Sequence, residues 1–177
     1  MEYLDILNEQ GEFLGKTKDR DQVHRDGDWH RTVHVWVING REELLIQKRS
    51  AEKESYPGYW DISSAGHVAA GDSSVNSAIR EVYEELGLFV DVSELTYLFT
   101  INNKVSLNQG LFLDNEISDV FLLRRDFDLK EISFSDKEIS EVSLIELSKL
   151  KEAIFSGNPS FVPHENEYHQ LFSFLSR

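Results

Sequence analysis

Glu81, Glu84 and Glu85 follow Arg80 in the run Arg80-Glu81-Val82-Tyr83-Glu84-Glu85-Leu86. At offsets of three and four residues on a helix they share one side. Carboxylates so placed repel one another, and a single neighbouring Arg80 cannot neutralise all three. Taken alone, the trio reads as a solvated acidic helix face. The alternative is a divalent cation, because hard ions such as Mg²⁺ take oxygen ligands, typically one or two carboxylates plus the oxygens of a substrate phosphate. The chemistry would then be attack of water on phosphorus. A bound ion polarises phosphoryl oxygens, lowers the pKa of its water from 15.7 towards about 7, and stabilises the leaving phosphate. A carboxylate must take the proton, and Glu84 or Glu85 could do so from the helix.

The element that must carry these groups is predicted as a helix from about Ser73 to Leu86. Asp72 and Ser73 offer side-chain oxygens to the orphan amides of a first turn, and Gly87 most cheaply adopts the left-handed backbone that ends a helix. Val75, Ala78, Ile79, Val82 and Leu86 fall on one stripe, which must face a core.

Together, Gly66, Asp72, Arg80, Glu81, Glu84, Glu85, Gly87 and Leu88 resemble the Nudix box, G-x5-E-x7-R-E-U-x-E-E-x-G-U with U aliphatic. Every fixed position over residues 66–88 matches except one, where Asp72 replaces Glu. The resemblance implies a loop–helix–loop that binds Mg²⁺ or Mn²⁺ and hydrolyses a diphosphate linkage in a small nucleotide or related diphosphate. It implies Glu81, Glu84 and Glu85 as metal ligands, with Arg80 orienting them by ion pairing. Asp72 keeps the charge but is one methylene shorter. In some members the base comes from a later loop, where this chain offers Glu138 and Glu141; both also read as part of a solvated acidic loop.

A longer similarity surrounds the box. His30-Arg31-Thr32-Val33-His34-Val35-Trp36, Gln47-Lys48-Arg49-Ser50, Pro57-Gly58-Tyr59-Trp60-Asp61, Ala65-Gly66-His67 and Asn115-Glu116 resemble the Nudix branch that includes isopentenyl diphosphate isomerase. By that resemblance His30, His67 and Glu116, with Asp114 beside it, form a second metal site; singly, each His also reads as an ordinary strand or loop residue. The isomerases protonate their alkene with a Cys just before the Gly-His pair, and here that position is Ala65. They also lose most of the helix carboxylates, which this chain keeps. Both departures point to hydrolysis rather than isomerisation. A third reading, a non-catalytic ligand sensor, is disfavoured by the retained Arg80/Glu81/Glu84/Glu85 set, with Asp72 the one feature in its favour.

The remainder of the chain supplies the frame. Its 177 residues, 40% hydrophobic and 28% charged with three prolines, fit one mixed α/β domain. The architecture implied is the Nudix α/β/α sandwich with a mixed central sheet and a small N-terminal β-hairpin: residues 1–177 as one domain, 1–29 as hairpin and short helix. That hairpin could cover a sheet edge or form a homodimer contact. The absence of cysteine excludes a disulfide framework and a thiolate nucleophile. No apolar run is long enough to span a bilayer and no signal-peptide pattern opens the chain, so a cytoplasmic location is expected. A net charge of −14 argues against nucleic-acid polymers and anionic membranes as partners, and requires metal to bring a small diphosphate substrate in.

Thr32–Ile38 and Glu43–Arg49 around Asn39-Gly40 predict a strand pair. Lys48 and Arg49 emerge at its end, either as solvated cations or as partners of a substrate phosphate. Phe89–Val92, Leu95–Ile101 and Glu116–Arg124 suggest further strand, with Asn102–Leu113 a polar loop and candidate lid. A helix is expected from the 136–142 run through Phe155, and another from His164 to Leu175.

Overall fold

The computed structural model describes residues 2–176. β1 (Tyr3–Leu7) and β2 (Phe13–Asp19) form the expected antiparallel hairpin. Its turn is held by the Asn8 side chain, which accepts from the Gln10 and Glu12 amides. Asp19 then caps α1 (Arg20–Asp26), which Gly27 ends at φ 71°.

β3 (Trp29–Ile38) and β4 (Glu43–Arg49) flank the Asn39-Gly40 turn, yet they pair only at Ile38↔Leu44 and then separate. Each finds other partners. β3 runs parallel to β8 (Phe112–Arg124) and antiparallel to β6 (Ser64–His67), while β4 pairs with β5 (Trp60–Asp61) and β9 (Ile139–Glu146). A sheet that divides between two central strands leaves a gap into which loops and helix faces can converge.

Both faces of the sheet are covered. Val33, Val35 and Val37 pack with Ala78, Val82 and Leu86 of α2 (Ser74–Leu86). Their strand neighbours Trp36 and Ile38 point the other way and pack with Leu147 and Leu150 of α3 (Leu147–Phe155) and with Tyr168, Leu171 and Phe172 of α4 (Glu165–Leu175). This is the period-two consequence of a strand buried on both faces, and the result is the helix–sheet–helix sandwich expected.

Three local expectations are corrected. Residues 89–92 are not a strand: Asp91 caps a short 3₁₀ turn over Val92–Glu94, and the Glu94 carboxylate reciprocally accepts the Asp91 amide. The 102–113 segment is not a loop, because β7 (Leu95–Leu107) pairs with β8 up to a turn at Asn108–Gly110. Its inward residues Ile101, Asn103, Val105 and Leu107 alternate with exposed ones, a pattern that polarity masked. Helix α3 starts only at Leu147, because β4 recruits residues 142–146 as a strand over Glu43–Gln47. Tertiary pairing there overrides local propensity.

Candidate active site

A cavity of about 720 Å³ opens where β3 and β4 part. One wall is α2. Ser73 caps it by accepting the Asn76 amide, and Gly87 ends it at φ 70°. Asp72 accepts from the Ser73 amide at 2.8 Å, Asn76 Nδ2 at 3.2 Å and Ser77 Oγ at 3.1 Å. It clamps the entry to the helix and does not line the cavity. Glu81, Glu84 and Glu85 all do.

Their environments differ. Glu81 is buried, meets Arg80 Nη1 at 2.7 Å, and lies so close to the β6 backbone that a Cβ on Gly66 would sit 2.1 Å from its Cδ. Burial, with Glu85 and Glu84 adding repulsion against the pull of Arg80, pushes its carboxyl up to about 8. Glu85 is also raised by burial, although it accepts the Ala65 amide and Gln47 Nε2, each at 3.1 Å. Glu84 is the exposed member, 3.3 Å from Arg80 Nη1. Arg80 Nη2 donates to the His67 carbonyl at 2.9 Å, which ties the acidic helix to β6.

The second wall brings together residues distant in sequence. His30 Nε2 stands 3.8 Å from Asp114 and 3.9 Å from Glu116, and His67 stacks on His30 at 5.3 Å between centroids. His24 joins them from α1, its Nε2 3.4 Å from Asp114. Sequence reasoning missed His24, whose only signal is a place in the last turn of a short helix. His24 Nδ1 bonds the Arg20 carbonyl and His30 Nδ1 the Asp28 carbonyl, so both present Nε2 to the cluster. His30 Nε2, His67 Nε2 and Asp114 Oδ1 are buried without a hydrogen-bond partner. Burial lowers the pKa of His30 and His67, holding them neutral, and raises Glu116 to about 8 with help from Asp114.

Orphaned imidazole nitrogens beside carboxylates are a donor set suited to a divalent cation. The ligand atoms of His24, His30 and His67, and those of His30, Asp114 and Glu116, lie within 4.8 Å of one another. The groups present therefore fit a metal.

Of the basic residues singled out from sequence, Arg49 lines the cavity and Lys48 lies outside it. Lys48 sits 5.6 Å over the Trp60 ring and 3.9 Å from Glu141, which is likewise outside. Arg49 is fixed by Asp61 at 2.8 Å and by the Ser55 carbonyl and hydroxyl. Burial opposes the Asp61 charge, but His164 at 2.9 Å and Arg49 outweigh it and lower its pKa. Arg20 and Lys53, unmarked in the sequence, also line the cavity, Lys53 paired with Glu138.

Any metal binding by these carboxyls would be proton-linked. Glu81 and Glu116, raised to about 8, hold protons at neutral pH that a cation there would have to displace. By about pH 7.5 unfolded-state histidines are largely neutral, whereas folded Glu81 and Glu116, and His34, raised to about 9, still hold protons. The folded, metal-free state then binds more protons than the unfolded state, and its stability falls as pH rises. The rise in Tm on adding Mn²⁺ is therefore expected to be larger at pH 8 than at pH 6.5; equal shifts in a thermal scan would remove these carboxyls from metal binding.

The family model described as NUDIX domain matches residues 28–164. Nudix hydrolase 3 of Arabidopsis thaliana is 38% identical over 179 residues, 98% of this chain and 23% of the plant protein. An isopentenyl-diphosphate Delta-isomerase of Pectobacterium atrosepticum is 33% identical over 116 residues, 66% of this chain and 63% of that protein. The chain thus spans less than two thirds of either relative's length. The crystal structure of DR0079 from Deinococcus radiodurans superposes with a TM-score of 0.65 at 28% identity, covering 88% of this chain and 90% of that one. The match extends from β3 through the box to the foot of α4, over the elements that build the cavity, and the chain belongs to the Nudix hydrolase family.

Proposed function

We propose that this chain, acting as one domain over residues 1–177, is a pyrophosphohydrolase that uses Mg²⁺ or Mn²⁺ to cleave a diphosphate linkage in a small nucleotide or related diphosphate. The observation that carries this reading is the convergence of three box carboxylates, a histidine–carboxylate cluster and Arg49 with Lys53 in one cavity. Glu81, Glu84 and Glu85 would hold one ion or more, and His24, His30, His67, Asp114 and Glu116 another. Metal bound there supplies activation of water and neutralisation of phosphoryl charge.

The chain's own groups do the rest. Arg80 reaches Glu81 and Glu84 and anchors both to the His67 carbonyl. Gln47 and the Ala65 amide hold Glu85. Glu84, exposed at the cavity surface beside Arg80, would accept the proton of the attacking water. Arg49, Lys53 and Arg20 offer donors to phosphoryl oxygens, and Arg49 is preorganised by Asp61 and Ser55. Ala65 lines the same cavity and provides no proton donor, which disfavours isomerisation.

The test is phosphate release, coupled through pyrophosphatase, with Mg²⁺ or Mn²⁺ and a panel of nucleoside di- and triphosphates, nucleotide sugars, dinucleotides and isopentenyl diphosphate. Glu84→Gln runs beside the wild type. Metal-dependent turnover of one substrate class, lowered at least about tenfold by the variant, is expected. A silent panel whose ligands nevertheless raise Tm would overturn hydrolysis in favour of a sensor.

A further inference from the structure

Glu167 is a wholly buried carboxylate on α4, 133 residues from the strand residue it serves. It accepts His34 Nδ1–H at 2.7 Å and Trp36 Nε1–H at 2.8 Å. A buried carboxylate persists in ionised form only when paired, and His34 is its hydrogen-bonded charged partner. Burial disfavours the imidazolium, but the charge and hydrogen bond of Glu167 outweigh this and raise His34 to about 9. His34 is thus held protonated, unlike the neutral His30 and His67, and it belongs to neither cluster of candidate metal ligands.

Its position gives the charge a use. His34 lines the cavity beside its β6 register partner Ala65, and Nε2 has no hydrogen-bond partner among the described residues. The charged groups around it are otherwise engaged: Asp61 by Arg49 and His164, whose ring lies 5.5 Å from His34, and Glu116 in the cluster with His30 and Asp114. A purely structural ion pair needs only Nδ1, and apolar residues would fill the site at less desolvation cost. A charged donor left open at the wall of a cavity, in a chain of net charge −14, is a place for an anion.

We propose that His34 is a substrate-anchoring residue that donates Nε2–H to a phosphoryl oxygen of the bound diphosphate, with Glu167 as the positioning residue that occupies Nδ1. The inference rests on the hydrolase reading for the substrate class alone. No bond is made or broken at His34; it holds one end of the diphosphate while the box carboxylates face another.

The test replaces His34 by Gln, which keeps a neutral donor but no charge. KM for the turned-over substrate is expected to rise about ten- to hundredfold, the loss of a charge-assisted hydrogen bond, with kcat within a few-fold of wild type. Affinity for inorganic diphosphate with Mg²⁺, measured by calorimetry, should fall by a similar factor. Glu167→Gln retains an acceptor for Nδ1–H but removes the charge that holds the imidazole protonated. Its KM at pH 7.5 should rise likewise, and the ratio to wild type should shrink as acid recharges the ring, which a merely structural role would not produce. The double variant His34→Gln/Glu167→Gln leaves a neutral buried pair and covers the case in which a single change misfolds. Wild-type diphosphate affinity in either folded His34 variant overturns the proposal and leaves the hydrolase reading standing. If the wild type turns over no substrate, weakened diphosphate binding in His34→Gln still supports the anchor while the hydrolase reading fails.

Discussion

Glu85→Gln is expected to lower kcat/KM for metal-dependent hydrolysis by roughly 10²–10³-fold while leaving the metal-free protein as stable as wild type or more so. The loss follows from charge. A ligand carboxylate contributes several kcal/mol to holding and neutralising a divalent ion against a phosphoryl group, and each 1.36 kcal/mol is tenfold in rate. The stability gain follows from burial. Glu85 lies against the Ala65 amide and Gln47, and its carboxyl is raised because the folded site penalises its charge. Its folded pKa lies above its unfolded value, so the native state holds the extra proton and loses stability as pH rises through that window. Gln has no charge to desolvate and keeps an oxygen for the Ala65 amide. The advantage in Tm of the metal-free variant should therefore widen from pH 5 to pH 8. Full activity in Glu85→Gln, read from kcat/KM at saturating Mg²⁺, would take Glu85 out of the reaction.

The second large effect needs only one methyl group. In Gly66→Ala the new Cβ would lie 2.1 Å from Glu81 Cδ and 2.4 Å from both carboxylate oxygens. No contact of that length survives, and the far end of a side chain yields more easily than two paired backbone segments. The Glu81 carboxylate must swing away from β6 and from Arg80. The expected outcome is a folded protein whose kcat/KM is lowered at least about a hundredfold, matching the loss of a metal ligand, and whose Tm rises less on adding Mn²⁺. Wild-type turnover by Gly66→Ala would mean that Glu81 works from another position. The substitution also accounts for a glycine here at ordinary backbone angles: the need is for space, not for a left-handed turn.

Much of the acidic wall was legible because it is local. The helix from Ser74, its Ser73 cap, the Gly87 stop and the shared face of three glutamates all follow from spacing within one segment. The role of Asp72 was not, because only the folded loop shows its carboxylate spent on Ser73, Asn76 and Ser77. Lys48 and Arg49 illustrate a different limit. Adjacent strand residues point to opposite faces, so composition could not say which would meet the cavity. Register decides it: β4 carries Arg49 to Asp61 and Lys48 over Trp60.

What the sequence determined by itself is therefore what periodicity and capping encode over a dozen residues: the box helix, the turn that begins at Asn39-Gly40, the strands on either side and the last helix. The tertiary structure alone decided which distant groups share a cavity. It drew β7 and β8 through the supposed lid, recruited residues 139–146 as a strand, brought His24 to His30 and His67, and buried Glu167 under His34. Those outcomes depend on which strands pair across the sheet and which side chains lose their water when the helices close over it. Both are properties of segments separated by tens of residues, and no local pattern carries them.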